Sequence, residues 1–354
     1  MQVKQLNEIG YAVAGSRTIF FAVCAGMVLA IAVPHAQGQS ATTAAAQGQS
    51  TKTAAAVQTQ PRATPPTAPA QDAATPTIKI LANEVDLVFT VTDKNGKFIN
   101  GLNQSSFGLL DDGRPPEAVL HFYSETNLPL RVGVMLDTSS SIRQRFKFEQ
   151  DSATTFLLQV LHRNDRAFVE GFDVQTDVEQ GFSNNIDLLS EGIHRLRPGG
   201  GTAMYDALYS ACKDQMLTLR ENGVVRKAIV LVSDGVDNYS HALEEDAIKE
   251  CQRADTIVYA ISTDVGPTKD KQGYDALRKI AETTGGQAFF PVRIEDVAQD
   301  FNNIEEELRS QYLLEYRPAN FKQDGSFRTI YLHANDSRYH VRAHTGYFAP
   351  RAAE

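Results

Sequence analysis

The sequence lacks tryptophan and is poor in cysteine, with 3 Cys among 354 residues. So few cysteines exclude a disulfide-dense small scaffold and a zinc site built from four cysteines. The chain has no excess of positive charge either, because 34 Lys and Arg stand against 43 Asp and Glu, for a net charge of −9. This balance argues against nonspecific binding to nucleic acid or to an anionic membrane. Apolar residues make up 42% of the chain, which excludes a wholly disordered protein and predicts one or two domains with real cores.

The three cysteines divide by position. Cys24 lies in an amino-terminal apolar run, which leaves Cys212 and Cys251 in the remainder and allows at most one bridge between them. Both fall in apolar helical patterns, which favours two small buried thiols. A disulfide between them is the alternative if the chain is exported.

Residues 1–36 have the layout of a secretory signal. Lys4 and Arg17 precede an uncharged apolar run over 18–33, and small residues follow up to Ala36. We expect cleavage after Ala36; because the run approaches the ~20 residues of a bilayer span, an uncleaved membrane anchor is the alternative. Either outcome predicts an exported protein, periplasmic or extracellular, that touches the membrane only through an uncleaved segment.

Residues 37–77 consist almost entirely of Ala, Thr, Gln, Pro, Ser and Gly. A near-repeat, AQGQS, begins at Ala36 and again at Ala46. A segment with so few large apolar residues cannot bury enough surface to offset the entropy of ordering. We therefore predict a flexible tether between the amino-terminal segment and the folded part.

Two flanking regions, 78–127 and 306–350, show the period of two that is typical of strands. Val85, Leu87, Phe89 and Val91 alternate with other residues, and Asn95-Gly96 predicts a hairpin turn to a second run at Phe98 and Ile99. The carboxyl-terminal region alternates in the same way at Tyr312, Leu314 and Tyr316. We predict that the two regions together form one small all-β sandwich, interrupted by a large insertion; two separate hairpins against the central domain are the alternative.

Between them, residues 128–305 alternate apolar strands with helices. Strand candidates are 130–136, 167–172, 176–182, 228–232, 257–261 and 288–290. The 3.6-residue period appears at Ala153, Phe156, Leu157 and Val160, and again over 274–281 and 297–308. This order predicts an α/β fold with a doubly wound, mainly parallel sheet. Its ligand site is expected outside the carboxyl ends of the strands, where the strand order reverses.

Polar side chains follow several of these strands at that edge. Asp137, Ser139 and Ser141 come directly after the first buried strand, Thr202 opens a helix after three glycines, and Asp234 follows a later strand. Each stretch alone could be a helix cap or a turn. Together they supply two carboxylates and three hydroxyls, the oxygen ligands of a hard cation such as Mg²⁺, with Mn²⁺ and Ca²⁺ as alternatives. We expect the two serines to bind the metal directly, and Thr202 and Asp234 to bind it directly or through water.

This set of residues resembles the metal-ion-dependent adhesion site, or MIDAS, of von Willebrand factor type A domains. The pattern Asp137-x-Ser139-x-Ser141, then Thr202 and Asp234, matches all five positions. Over its full length, with the flanking strands and a Gly346-Tyr347-Phe348 ending, the chain is similar to exported proteins of this type described from acidobacteria. The resemblance implies a bound Mg²⁺ that often captures an acidic residue of a partner. Asp206 could then hold a metal-bound water, or it could simply be an acid favourably placed in the first turn of a helix.

No motif indicates an enzyme. The sequence contains no Gly-x-Ser-x-Gly, no His-Glu-x-x-His and no phosphate-binding glycine loop, and none of its 8 His lies beside the candidate ligands. The leading hypothesis is a cation-dependent, adhesion-type module that binds a protein partner through its Glu or Asp, with no nucleic acid involved. The alternative is a structural protein of the cell envelope, in which the metal only joins loops.

Overall fold

The computed structural model describes residues 83–124, 128–221, 224–265 and 270–351. The predicted signal and tether, 1–36 and 37–77, lie outside these ranges. Across the described residues, no helix is long and apolar enough to span a bilayer.

Strands and helices alternate through the middle of the chain, and strands alone flank them. The strands are β1 (Val85–Thr92), β2 (Phe107–Asp111), β3 (Ala118–Tyr123), β4 (Leu130–Asp137), β5 (Arg166–Phe172), β6 (Thr176–Ser183), β7 (Arg226–Ser233), β8 (Thr256–Ser262), β9 (Ala288–Phe289), β10 (Gln311–Arg317), β11 (Phe327–Ala334), β12 (His340–Ala343) and β13 (Gly346–Phe348). The α-helices are α1 (Phe146–Val160), α2 (Ile186–Arg195), α3 (Met204–Ser210), α4 (Glu244–Arg253), α5 (Lys271–Thr284) and α6 (Asp296–Arg309). Short 3₁₀ turns cover Gln104–Ser106 and Ser140–Ile142, and a π-helical segment, Ala211–Leu217, continues α3.

The central sheet has the strand order β6-β5-β4-β7-β8-β9. All neighbouring strands are parallel except β5 and β6. The chain first builds outward from β4 to one side and then returns to add β7, β8 and β9 on the other. The strand order therefore reverses between β4 and β7, which is where α/β sheets bind ligands. The predicted doubly wound, mainly parallel sheet is confirmed.

Helices cover both faces of this sheet. Phe156 of α1 and Phe301 of α6 belong to the core on one face, whereas Leu208 of α3 and Leu277 of α5 belong to the core on the other. All eight residues of β4 are buried as a result. A strand buried on both faces is apolar along its whole length, which explains why these strands lack the alternation seen in the flanking regions.

The flanking regions interleave in two antiparallel sheets. One has the order β12-β1-β10-β3 and the other β13-β11-β2, so the amino-terminal β1 lies between two carboxyl-terminal strands. The rings of Phe89 and Tyr312 stack in their shared core at a centroid distance of 5.1 Å. The predicted insertion of the α/β domain into a small all-β sandwich is confirmed, and the alternative of two separate hairpins is wrong.

The hairpin expected at Asn95-Gly96 is much shorter than its sequence suggests. Gly96 makes the turn with φ of 80°, but the second run forms only a bridge between Phe98 and Thr92 and one further bond from Ile99. The second run cannot pair further with β1, because β10 and β12 already occupy both edges of that strand.

A buried carboxylate joins the two sheets of the sandwich. Asp111 is 2% exposed and accepts hydrogen bonds from Arg328 Nε at 2.9 Å, Tyr316 OH at 2.8 Å and Tyr347 OH at 2.9 Å. These donors lie on three different strands. The network gives the Gly346-Tyr347-Phe348 ending a structural role, because its tyrosine completes the bonding of a buried charge.

Cys212 and Cys251 form a disulfide with Cα atoms 4.9 Å apart. The expectation of two free buried thiols is therefore wrong. The helical pattern was a correct guide to burial, since both residues are 0% exposed. What it did not show is that the π-helical segment and α4 present the two Cβ atoms to each other.

Candidate metal centre

Asp137 stands at the carboxyl end of β4 and is 1% exposed. Its Oδ1 accepts a hydrogen bond from the Ser139 amide at 2.8 Å, and its Oδ2 accepts one from Ser233 Oγ at 2.7 Å. Burial raises the pKa of Asp137 to about 6; the bonds from Ser233 and Ser139 oppose the rise, and the charge of Asp234 adds to it. A cation close to Asp137 would stabilise the charged form of this buried carboxyl group and lower its pKa.

The two serines and the second aspartate continue the cluster. Ser139 Oγ lies 3.0 Å from Ser141 Oγ, and Ser141 Oγ donates to Asp234 Oδ2 at 2.9 Å. Asp234 directly follows Ser233, the hydroxyl donor to Asp137. The structure therefore brings together four of the five sequence-predicted ligands in one hydrogen-bonded cluster.

The spacing of these oxygens fits a hard divalent cation. Adjacent ligands of octahedral Mg²⁺, each at ~2.0–2.1 Å from the metal, are separated by ~2.9 Å. The two contacts of the Ser141 hydroxyl, at 3.0 and 2.9 Å, are hydrogen bonds whose length equals that of such an edge, so the oxygens are already as close together as metal ligands would be. Within the described part of the chain, no group of three or more His, Cys, Asp or Glu side chains could hold a metal, so a cation bound at this cluster would need the serine hydroxyls as ligands.

Thr202, the fifth predicted ligand, is 3% exposed and lies in the loop before α3. Its amide donates to Asn238 Oδ1 at 2.9 Å, and its carbonyl accepts from the Tyr239 amide at 3.0 Å. The Thr202 loop is thereby attached to the loop that follows Asp234.

The same loop is attached to the Asp137 side of the site. The Gly199 amide donates to the Thr138 carbonyl at 2.6 Å, and Ser140 Oγ donates to the Gly200 carbonyl at 2.6 Å. Gly200 has φ of 74°, a left-handed conformation that favours glycine. The three glycines at 199–201 thus let the backbone approach the loop of Asp137, Ser139 and Ser141 closely. All three predicted loops meet at one edge of the sheet.

Asp206 lies in the first turn of α3, four residues after Thr202. Its Oδ2 accepts from the His241 amide at 3.0 Å, and its Oδ1 accepts from the Ala242 amide at 2.7 Å. Asp206 therefore ties α3 to the segment before α4. A role in holding a metal-bound water stays a prediction.

Sequence reasoning missed Glu149, a buried carboxyl on α1 near the site. It is 1% exposed, and neither of its side-chain oxygens has a partner among the described residues. Burial raises the pKa of Glu149 to about 8; the charge of Arg145 opposes the rise, and those of Asp137 and Asp234 add to it. The signal was available, because Glu149 lies four residues before Ala153, on the apolar stripe of α1.

Ser233 and Asn238 were also missed as supporting residues. Ser233 is the last residue of a buried strand, and Asn238 has no signal in a single sequence, since its contact with Thr202 spans 36 positions.

The family model of the von Willebrand factor type A domain matches residues 132–306. The chain therefore carries a von Willebrand factor type A domain, in agreement with the resemblance seen in the sequence. A search of curated proteins found no match.

Solved structures similar to this chain include the following three. The D319A mutant of the PilB minor pilin from Streptococcus sanguinis is 15% identical with a TM-score of 0.42, and the match covers 52% of this chain and 62% of that one. The vWF domain of the type V pili tip protein Mfa5 from Porphyromonas gingivalis is 16% identical with a TM-score of 0.41, covering 52% and 96%. Proximal thread matrix protein 1 from the mussel byssus, with a zinc-occupied MIDAS motif, is 17% identical with a TM-score of 0.45, covering 56% and 50%. The match thus covers less than two thirds of the length of the pilin and of the byssus protein.

Proposed function

We propose that the chain is an exported, divalent-cation-dependent protein-binding module. In this proposal Mg²⁺ is held by Asp137, Ser139, Ser141, Thr202 and Asp234 and captures an acidic residue of a partner protein. The observation that carries it is the hydrogen-bonded cluster of Asp137, Ser139, Ser141 and Asp234 at the switch point of the sheet. Ser141 is exposed, so the cluster faces solvent on one side.

The charge of the site favours capture of a carboxylate. Two aspartates neutralise a divalent cation without excess negative charge, so the metal keeps its attraction for a further anion. The hydroxyls of Ser139 and Ser141 add neutral ligands only. An incoming Glu or Asp side chain supplies the hard oxygen that Mg²⁺ prefers.

The disulfide supports export. Structural disulfides form in oxidising compartments and are rare in the cytosol. The bridge between Cys212 and Cys251 thus agrees with the signal predicted over residues 1–36.

The alternative, a structural envelope protein whose metal only joins loops, has less support. The Thr202 loop is already bonded directly to the Asp137 loop through Gly199 and to the Asp234 loop through Asn238. Direct hydrogen bonds therefore already join the three loops.

A binding role is also favoured over catalysis. Across the described residues, neither Ser139 nor Ser141 is hydrogen-bonded to a histidine that could act as a base, and both are bonded to each other. His241, near in sequence, contacts Asp206 instead.

Titration calorimetry tests the proposal in two steps. Mg²⁺ should bind the wild-type protein, and Asp234→Ala should abolish binding, whereas the exposed-site control Asp177→Ala should bind as wild type does. A Glu-containing peptide should then bind only with Mg²⁺ present and not in EDTA, and its Gln counterpart should not bind. Metal binding without any carboxylate binding would favour the structural alternative, and no metal binding would refute both.

A further inference from the structure

The surface around the cluster of candidate metal ligands carries two cationic side chains in one place and an aromatic side chain in another. Arg143 lies two residues beyond Ser141, and its Nη2 lies 3.5 Å from the carbonyl of Pro198, the residue that follows Arg197, so both arginines lie at the start of the 198–202 loop. Tyr239, bonded through its amide to Thr202, lies at the other end of that loop. From this arrangement, which rests on the proposed function, we infer that the site selects an acidic segment: one carboxylate for the metal, further carboxylates for the arginines and an aromatic or apolar side chain for Tyr239.

The arginine side is positioned by contacts with the backbone. Arg143 Nη2 reaches the Pro198 carbonyl at 3.5 Å, and Arg197 Nη1 donates to the carbonyls of His194 and Leu196 at 2.5 and 2.7 Å. Both side chains are exposed. Within the part of the chain that the structure describes, neither guanidinium has a carboxylate within ion-pair distance, so both retain donors for an incoming carboxylate.

The two arginines give this side unpaired positive charge. With the metal bound, Asp137 and Asp234 would be balanced by the cation. Asp173 also lies beside this loop, with its Oδ2 2.7 Å from where a Cβ on Gly200 would be. Two guanidinium groups without an ion-pair partner among the described residues are unusual on a chain whose net charge is −9. Local charge of this sign, opposite to that of the whole protein, orients an acidic ligand toward the site.

The Tyr239 side offers an aromatic surface. Tyr239 is 58% exposed, and its ring rests on Gly201, where an added Cβ would lie 2.3 Å from Tyr239 Cε2. The ring is thus held beside Thr202 while most of it faces solvent. The acids nearby are already bonded, because Asp237 accepts from the Tyr205 amide and from Ser240. This side is suited to an aromatic or apolar contact.

Labelled octapeptides with one central Glu provide the test, by fluorescence anisotropy in Mg²⁺ and in EDTA. One peptide carries two Asp on one side of the Glu and a Tyr on the other, and two more carry Ser or Lys in place of the Asp; each is made in both sequence orders. In Mg²⁺ the Asp peptide should bind about five- to tenfold more tightly than the Ser peptide, as two exposed ion pairs allow. The preference should shrink as salt is raised.

Charge-reversal variants show which residues are responsible. The double variant Arg143→Glu/Arg197→Glu should favour the Lys peptide when every variant is compared at saturating Mg²⁺, with the Mg²⁺ affinity of each variant measured separately. Arg114→Glu/Arg163→Glu makes the same charge change at exposed positions away from the site and should keep the wild-type preference. Tyr239→Ala should weaken the Tyr-containing peptides about fivefold, and a matched loss for peptides with Gly in place of Tyr would contradict this contact.

The outcomes separate the two proposals. Equal Mg²⁺-dependent binding of all three peptides would overturn the acidic-segment inference and leave the proposed function standing. A preference that persists in EDTA would mean that the arginines bind anions without the metal, and would also overturn it. Metal binding with no peptide bound at millimolar concentration would overturn both.

Discussion

Replacing Asp137 by Asn should make the metal-free protein more stable while removing its response to Mg²⁺. The carboxylate is 1% exposed, and burial raises its pKa from an ordinary value of 3.8 to about 6. A rise of this size corresponds to ~3 kcal/mol of unfavourable free energy for the charged form at neutral pH.

Part of this gain is lost, because Asn keeps only one acceptor oxygen for the bonds from Ser139 and Ser233, at a cost of ~1 kcal/mol. We expect a net stabilisation of about 1–2 kcal/mol for Asp137→Asn at pH 7.5, or a rise in Tm of roughly 3–6 °C. In the wild type, Mg²⁺ at a hundred times its Kd should add ~2.7 kcal/mol.

Calorimetric melting curves in EDTA and in Mg²⁺ measure both effects. The pH dependence supplies an internal control. Because the pKa of Asp137 is raised in the folded state, the free-energy cost of its charge is absent below about pH 4 and grows as pH rises through about 6. The stability advantage of Asp137→Asn over the wild type should therefore vanish at pH 4. The exposed control Asp177→Asn should change neither curve. A metal-free Asp137→Asn protein that is less stable than wild type at pH 7.5, or that still responds to Mg²⁺, would refute the reasoning.

Three further predictions concern stability away from the metal. Cys212→Ser/Cys251→Ser should cost about 3–4 kcal/mol, because the bridge closes a loop across 39 positions; urea unfolding with and without reductant measures this, and equal midpoints would contradict it. Tyr316→Phe should cost ~1.5–2 kcal/mol by removing a donor to the buried Asp111, against a negligible loss for Tyr331→Phe on the surface. Burial raises the pKa of Glu170 from 4.5 to about 8, so the wild type should lose stability as pH rises through this interval. Glu170→Gln should lose less stability over the same interval, which denaturation midpoints taken from pH 5 to 9 measure.

The predictable part of the site came from short stretches of chain. Asp137, Ser139 and Ser141 are within five positions of one another, and their place after a buried strand follows from parallel-sheet topology alone. The same logic placed Thr202 and Asp234 at the same edge. Glu149 could have been found, since a charge on an apolar helical stripe is visible in one sequence.

The sequence by itself determined the periodicities, and with them the α/β domain, the flanking strands and the edge of the sheet where the predicted oxygen ligands gather. Only the tertiary structure decided which partners those strands take, that Cys212 meets Cys251, and that Asn238 and Ser233 support Thr202 and Asp137. The reason is physical: local patterns report which face of an element is buried, whereas contacts between positions far apart depend on how the elements pack.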